Sequence, residues 1–246
     1  MDFRMTTLTL FATASIASAD ILIDEGFESY TGGAVSGWTR EGDHDFSSVA
    51  GLDGTTAAVL LGSAGSDSST ALRNTFSSEG TITDTFTFAF DFQQLMTGNS
   101  SNSGDRIMNF TLRESGQSVV NWRVLWDGSA NGTMQYYDGA WQNMATQNEL
   151  INESDVYRVT LSGDLDASYS ITVNNLTDST VVGGQVGITG LQSGFTALNE
   201  LRFERGRSAQ DFIIDNVYLS NVPEPSAYAL LAGLLALSWG MVRRRQ

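Results

Sequence analysis

Alternating apolar residues are the feature that most restricts the fold of this chain. Phenylalanine occupies every second position from Phe86 to Phe92, with threonine, alanine and aspartate between. A period of two places alternate side chains on opposite faces, which is typical of a strand buried on one side. The same period recurs in six later segments, which begin at Met108, Val120, Tyr157, Tyr169, Leu201 and Ile213.

Turn residues separate these segments. Asp138-Gly139 lies between residues 134–137 and 140–143 and predicts a tight hairpin. Residues 163–167 separate two segments of similar length, and no segment keeps a helical period over three turns. We therefore predict one all-β domain over residues 20–221, an antiparallel two-sheet β-sandwich of the jelly-roll type.

The N-terminus has the layout of a secretory signal peptide. A short apolar stretch between residues 8 and 16 precedes Ala17-Ser18-Ala19, a small-x-small cleavage site. This pattern predicts a signal peptide over residues 1–19 with cleavage after Ala19. The alternative is an uncleaved N-terminal anchor.

Residues 222–246 combine three different features. Val222-Pro223-Glu224-Pro225 contains the only two prolines of the chain, which hold this short motif extended. Residues 227–242 carry no charge and would span about 24 Å as a helix, which is short for a bilayer core of about 30 Å. Arg243, Arg244 and Arg245 then fit a cytoplasmic end. A permanent C-terminal anchor is the alternative to a processed tail.

This tail closely resembles the PEP-CTERM sorting signal of Gram-negative bacteria. Residues 222–225 match its motif, residues 227–242 its transmembrane segment and residues 243–245 its basic end. The resemblance implies export, recognition by an exosortase-type protease and removal of the tail. It also implies an anchor in the inner membrane during sorting, followed by release to the cell surface or the extracellular matrix.

The charge balance excludes several classes of function. Loss of residues 1–19 and of everything after Pro225 would leave 27 acidic and 9 basic residues, a net charge of −18. Such a surface repels nucleic acids, so no nucleic-acid partner is predicted. The chain has no cysteine and a single histidine, His44, which argues against disulfides and zinc. It contains neither an E-x-D-x-E strand nor G-x-S-x-G, so no catalytic residue is predicted.

A second resemblance concerns the sandwich itself. Residues 26–30 followed by Trp38, and residues 212–217, resemble the opening and later strands of concanavalin A-like jelly rolls. In that fold the first and last strands lie together and hold a structural Ca²⁺, which makes Glu28 and Asp215 candidate ligands. Calcium prefers six to eight oxygen ligands, which an acidic domain can supply. The alternative is that Asp215 hydrogen-bonds a turn and Glu28 is solvated.

Aromatic residues provide the remaining candidate site. Trp126, Tyr136, Tyr137 and Trp141 cluster around two predicted hairpins, and exposed rings stack on the apolar faces of sugars. Alternation can instead place Trp126 and Tyr136 in the core, where large aromatic residues usually lie. Together these features predict an exported, non-catalytic surface or matrix protein that binds extracellular polysaccharide. The alternative is a glycan-active hydrolase or lyase on the same concanavalin A-like fold.

Overall fold

The computed structural model describes residues 20–221 apart from 33, 43–45, 53, 56, 62–70, 77–79, 96–105, 127–130, 145–150, 153–154, 190–195 and 206–210. The described residues form strands that build two sheets, numbered here in chain order. Sheet A contains β1 (Asp20–Glu25), β3 (Phe46–Val49), β4 (Ala58–Leu61), β6 (Thr85–Leu95), β12 (Val156–Asp164), β13 (Tyr169–Asn175), β14 (Thr180–Ile188) and β16 (Asp211–Asn221). Sheet B contains β2 (Trp38–Glu41), β5 (Ala71–Thr75), β7 (Arg106–Glu114), β8 (Gln117–Trp126), β9 (Asn131–Tyr137), β10 (Trp141–Asn143), β11 (Ile151–Asn152) and β15 (Glu200–Arg205).

Neighbouring strands pair antiparallel in both sheets. Sheet A runs in the order β14-β13-β12-β6-β16-β4-β3, and β1 pairs with β16. Sheet B runs in the order β10-β9-β8-β7-β15-β5-β2, and β11 pairs with β9. The first and last strands therefore lie side by side, as the jelly-roll resemblance implied. The all-β, two-sheet antiparallel fold predicted from the alternation is confirmed.

Aromatic rings from both sheets fill the space between them. Phe88 of sheet A stacks on Phe110 of sheet B, with ring centroids 4.6 Å apart. Phe90 meets Phe203 edge to face at 4.9 Å, and Trp122 packs against Phe90 with centroids 6.2 Å apart. All five side chains are fully buried. Because β6 alternates, each inward phenylalanine leaves the next residue on the outer face of sheet A.

A small apolar cluster lies apart from the main core. Leu52, Ala58 and Ile213 form it, with Leu95 and Val156 packed against them. Ile213 is on the opposite side of β16 from the inward Phe212 and Ile214, so this cluster lies on the outer face of sheet A. The segment around Leu52 therefore covers part of that face and shields the neighbouring residues of β16 from water.

The opening of the domain differs from the sequence prediction. Residues 26–30 were predicted to form part of the opening strand, but β1 ends at Glu25. Phe27 has a φ of 54°, its amide donates to Glu25 Oε1 at 2.7 Å, and Tyr30 N donates to Phe27 O at 2.8 Å. A left-handed φ is incompatible with an extended strand, so this segment forms a turn instead.

Candidate functional site

The hairpin of β9 and β10 carries two of the predicted aromatic residues on the outer face of sheet B. Tyr137 and Trp141 face each other in register, and their rings meet nearly edge to face with centroids 5.7 Å apart. The predicted turn forms at Asp138-Gly139, where Gly139 has a φ of 75° and Asp138 N donates to Ala140 O at 3.0 Å. Both rings are half-buried, so part of each remains open to solvent.

Planar polar groups extend this aromatic pair across three strands. The Arg123 guanidinium carbon lies 3.7 Å from the centroid of the Trp141 ring. Its Nε and Nη2 donate to Gln135 Oε1 at 2.8 and 2.6 Å. Gln135 Nε2 in turn donates to Asn143 Oδ1 at 2.8 Å. We call Arg123, Gln135, Tyr137, Trp141 and Asn143 the aromatic patch.

Stacking on an aromatic ring and two hydrogen bonds to one amide fix the orientation of Arg123. Partial burial and the nearby positive charge of Arg106 lower the pKa of Arg123. The guanidinium remains charged at neutral pH, because the ordinary pKa of arginine is far above 7. The patch therefore combines a rigid cation, two half-exposed aromatic rings and two amides, and ligand sites in proteins are commonly built from aromatic surface beside a few fixed polar groups.

The other two predicted aromatic residues lie elsewhere. Trp126 is only 4% exposed and Tyr136 only 8%, and both belong to the core between the sheets. Their positions follow from alternation, because β8 turns Trp122, Val124 and Trp126 inward. The expectation that their rings stack on sugars is therefore corrected: they pack in the core.

A chain of ion pairs covers the rest of the outer face of sheet B. Three glutamates on β2 and β15 each contact two arginines, at N–O distances from 2.6 to 3.5 Å. Carboxylate and guanidinium alternate along it in the order Arg113, Glu200, Arg73, Glu41, Arg202, Glu204 and Arg106. We call this set the arginine–glutamate chain. It begins and ends with arginine, and its Arg106 end adjoins the aromatic patch.

The outer face of sheet A holds a different polar cluster. Asp91 accepts two hydrogen bonds from Arg158 Nε and Nη2, each 2.7 Å long, and a third from Asn216 Nδ2 at 2.8 Å. Arg158 and Asn216, together with Asp24 and Tyr218, line an open cleft of about 520 Å³. Asp91 itself is fully buried, and its carboxylate fixes two of the side chains that line the cleft, Arg158 and Asn216.

Asp215, the predicted calcium ligand on β16, is also fully buried. Its Oδ2 accepts the amide of Leu52 at 2.9 Å and the hydroxyl of Thr55, while its Oδ1 accepts the amide of Asn216 at 2.8 Å. Burial raises the pKa of Asp215, and Asp91 adds to this; the three hydrogen bonds act in the opposite direction. Asp215 thus ties the Leu52 turn to the sheet, which is the alternative role considered from the sequence.

Glu28, the other candidate calcium ligand, is exposed. If Gly26 carried a β-carbon, that atom would lie 3.6 Å from Glu28 Cγ and 3.8 Å from Asn216 Oδ1. Both candidate ligands therefore belong to the junction of β1 and β16. No group of three or more acidic or histidine side chains suited to a metal ion is found in the described residues. Calcium binding stays a prediction.

Several predicted features fall outside the described residues. They are the signal peptide with Ala19, the sorting motif Val222, Pro223, Glu224 and Pro225, the segment 227–242, the basic residues Arg243, Arg244 and Arg245, and His44. Within the described residues, no helix has the length and apolar character needed to cross a bilayer.

Sequence reasoning missed Arg123 on the outer face of sheet B, and Asp91 with its partner Arg158 on the outer face of sheet A. Arg123 alternates with the inward Trp122 and Val124, so its outward position is readable from the strand pattern. Its contacts with Gln135 and Trp141 are not readable in this way, because they depend on which strands become neighbours. The pairing of Asp91 with Arg158, 67 residues apart, has the same cause.

Comparison with known proteins shows the fold of this domain. No protein-family model matches the chain, and no curated protein matches it. Among solved structures, the CBM2 module of the evolved Dit protein of Lactobacillus casei BL23 phage J-1 is similar, with a TM-score of 0.58 and 13% identity. The similarity covers 83% of this chain and 97% of that module.

Two further structures have the same architecture. The carbohydrate esterase vb_24B_21 of the Shiga toxin-encoding bacteriophage phi24B has a TM-score of 0.55 at 16% identity, over 83% of this chain and all of that one. Peanut lectin has a TM-score of 0.52 at 12% identity, over 78% of this chain and 95% of the lectin. The domain is therefore a lectin-like jelly-roll β-sandwich.

Proposed function

We propose that this protein is an exported, non-catalytic polysaccharide-binding protein of the cell surface or extracellular matrix. The signal peptide predicted over residues 1–19 would direct export, and the PEP-CTERM-like tail over residues 222–246 would direct sorting by an exosortase-type protease. The lectin-like fold supports a sugar-binding role, because proteins with this fold include a lectin and a carbohydrate esterase.

The aromatic patch carries the proposal. Tyr137 and Trp141 present ring surface beside the amides of Gln135 and Asn143, all on the outer face of one hairpin. Rings cover the apolar face of a pyranose, while amides exchange hydrogen bonds with its hydroxyls. A rigid arrangement lowers the entropic cost of binding a flexible polymer.

We propose that the protein is not an enzyme because its buried carboxylates Asp91 and Asp215 are occupied by hydrogen bonds within the protein. Both oxygens of Asp91 accept hydrogen bonds from Arg158, and both oxygens of Asp215 accept hydrogen bonds from protein donors. Both side chains are fully buried. A nucleophile or general acid must reach the scissile bond, so these two aspartates are held in structural roles.

Binding can be tested by affinity electrophoresis or calorimetry of the purified protein with bacterial exopolysaccharides. Tyr137→Ala and Trp141→Ala should each weaken binding by roughly tenfold, since loss of one stacking ring costs on the order of 1.5 kcal/mol. Tyr218→Ala is the matched control, because Tyr218 is a half-buried aromatic residue on the outer face of sheet A. Equal loss in all three variants would place the binding surface elsewhere.

Turnover separates the proposal from its alternative. A glycan-active hydrolase or lyase would release new reducing ends or unsaturated products from a bound polysaccharide. Product release that disappears on substitution of Asp91 or Asp215, in a folded variant, would reject the non-catalytic assignment. Binding without product supports it.

Sorting requires a separate experiment in cells. Glu224→Ala, or deletion of residues 227–245, should change the cellular fraction that contains the protein and the intact mass of the recovered chain. Unchanged mass and location in both variants would reject a processed tail.

We also propose a structural Ca²⁺ at Glu28 and Asp215. A melting temperature that stays the same after chelation of calcium would reject this proposal.

A further inference from the structure

The strands of sheet B carry most of the positive charge of this acidic protein. They contain seven arginines and four glutamates, a net charge of +3. The strands of sheet A contain one arginine and seven acidic residues, a net charge of −6. The whole chain has a formal net charge of −15. Arg205 is buried and paired with Asp211 of sheet A, and the remaining arginines of sheet B still outnumber its glutamates by two. Sheet B is therefore the part of the described sandwich toward which a polyanion would be attracted.

The excess of positive charge is concentrated at one end of sheet B. Along the arginine–glutamate chain each glutamate is shared by two arginines, so four arginines face three carboxylates. Arg106 is the last residue of the arginine–glutamate chain, and its positive charge contributes to the lowered pKa of Arg123. The two guanidinium groups outnumber the one carboxylate of the β9–β10 hairpin, Asp138, which is exposed in its turn.

Arg123 has no carboxylate partner among the described residues. Its Nε and Nη2 donate to Gln135, and its Nη1 has no hydrogen-bond acceptor within the described part of the chain. The other four arginines of the outer face, Arg73, Arg106, Arg113 and Arg202, each contact a glutamate. Among the described arginines of this face, Arg123 is thus the one without a carboxylate partner.

Two buried acceptors lie beside it on the same face. Asn109 is 7% exposed and pairs in register with Arg123, while Thr111 is 4% exposed and pairs with Asn121. Asn109 Oδ1 and Thr111 Oγ1 have no hydrogen-bond partner among the described residues. Buried polar atoms without partners are rare, so this end of the sheet keeps unused hydrogen-bonding capacity below its surface.

We infer that this end of sheet B recognises an acidic polysaccharide, with the anionic group of one sugar on Arg123 and its ring against Tyr137 and Trp141. The inference rests on the proposed polysaccharide-binding function and specifies the class of polymer. A guanidinium whose plane is fixed by Trp141 and Gln135 presents its remaining donors in a set direction, which suits a carboxylate or sulfate. The net negative charge elsewhere restricts a polyanion to this end.

The test compares matched polymers on the purified full chain at low salt. One arm uses a polyuronate and the same polymer after carboxyl reduction, and the other uses a sulfated polysaccharide and its desulfated form. We expect at least about tenfold tighter binding of an acidic polymer than of its neutral form, the effect of one hydrogen bond to a charged group. The arm that shows the difference identifies the anionic group as carboxylate or sulfate.

Variants locate the effect. Arg123→Gln should abolish the preference, so that this variant binds the acidic polymer and its neutral form equally, even though loss of the contact with Trp141 weakens binding of both. Arg40→Gln removes the same charge from an exposed residue on β2, four strand spacings or roughly 19 Å across the sheet from β8, and should change neither. Arg123→Lys keeps the charge but not the planar fork, and should retain only part of the preference.

The outcomes separate the two levels of the proposal. If the wild-type protein binds neither form of any polymer, the proposed function fails, and this inference fails with it. If it binds acidic and neutral forms equally, polysaccharide binding stands and the inference about acidic polymers is overturned. The wild-type comparison decides this even if a variant does not fold. An equal loss in Arg40→Gln and Arg123→Gln would also overturn it, because it would indicate non-specific attraction.

Discussion

On the outer face of sheet A, the carboxylates of Asp91 and Asp215 are buried and enclosed by donors from Arg158, Asn216 and the Leu52 turn. On the outer face of sheet B, partly exposed arginines alternate with glutamates, of which Glu200 is buried, and this arginine–glutamate chain ends beside Arg123, which has no carboxylate partner among the described residues. Both faces carry charge, but only on the first are the carboxylates buried and hydrogen-bonded at both oxygens by protein donors. The difference separates a face built for stability from one available for recognition.

The two faces differ because an apolar cluster covers part of sheet A, whereas the outer face of sheet B is polar. The apolar cluster around Leu52 shields β16, so a carboxylate there must be satisfied by protein donors. Sheet B has a polar outer face in which salt bridges remain partly hydrated, and such pairs contribute little to stability. Removing a charge should therefore be costly at Asp91 on sheet A and nearly neutral at a partly exposed carboxylate of sheet B such as Glu41.

The largest effect is expected for Asp91→Ala. The change removes three hydrogen bonds and leaves Arg158 and Asn216 without their buried partner, so the free energy of unfolding should fall by about 3 kcal/mol. Urea or thermal denaturation measures it. Asp178→Ala, which removes the same charge from an exposed turn, is the control and should change stability by less than about 0.5 kcal/mol. Similar values for the two variants would contradict the structural role of Asp91.

A smaller effect is expected at the contact that joins the two sheets beneath the aromatic patch. Tyr169 of β13 is buried, and its hydroxyl donates to the backbone oxygen of Tyr137 at 3.1 Å. Tyr169→Phe should lower the free energy of unfolding by about 1 kcal/mol, because it leaves that carbonyl without its donor. It should also weaken polysaccharide binding slightly through Tyr137. A variant with wild-type stability would show that this hydrogen bond is not maintained in solution.

A pH-dependent effect is expected at Asp215, and it is reduced by opposing causes. Burial raises the pKa of Asp215 in the folded protein, while its hydrogen bonds from Thr55, Leu52 and Asn216 counteract this. A raised pKa means that the folded state binds the proton more tightly than the unfolded state. The wild-type protein should therefore gain stability relative to Asp215→Asn as the pH falls through the folded pKa, with no further gain below the unfolded value. Denaturation between pH 7 and pH 3 measures the difference; a flat difference curve would contradict the shift.

The sequence patterns predicted the sandwich well because alternation is a local property. The phenylalanines of β6 and the apolar residues of β8 lie inward as their period requires, and Asp138-Gly139 forms its hairpin. The strand β14 gave no clear signal, because Gly183, Gly184 and Gly187 interrupt its pattern. The same alternation places Trp126 inward and leaves Tyr137 outward.

The candidate site was less predictable because it depends on strand order. Arg202 of β15 contacts Glu41 of β2, which is 161 residues away, because only β5 lies between these two strands. Nothing near either residue in the sequence indicates that neighbourhood. Arg123 was overlooked for the same reason, since its partners Gln135 and Trp141 belong to two other strands.

The smallest effect is expected for Glu41→Gln, and it tests the open side of the comparison. Glu41 is about one-third exposed, and after its loss Arg73 keeps Glu200 while Arg202 keeps Glu204. The free energy of unfolding should therefore change by no more than about 0.5 kcal/mol.

Glu41→Gln would also give sheet B one more positive charge. Binding of an acidic polysaccharide should therefore strengthen by less than roughly threefold at low salt and return to the wild-type value as salt screens the charge. Asp178→Asn changes net charge equally on the other sheet and should leave binding unaltered. A loss of stability comparable with that of Asp91→Ala would show that the arginine–glutamate chain is structural and that the two faces do not differ as described.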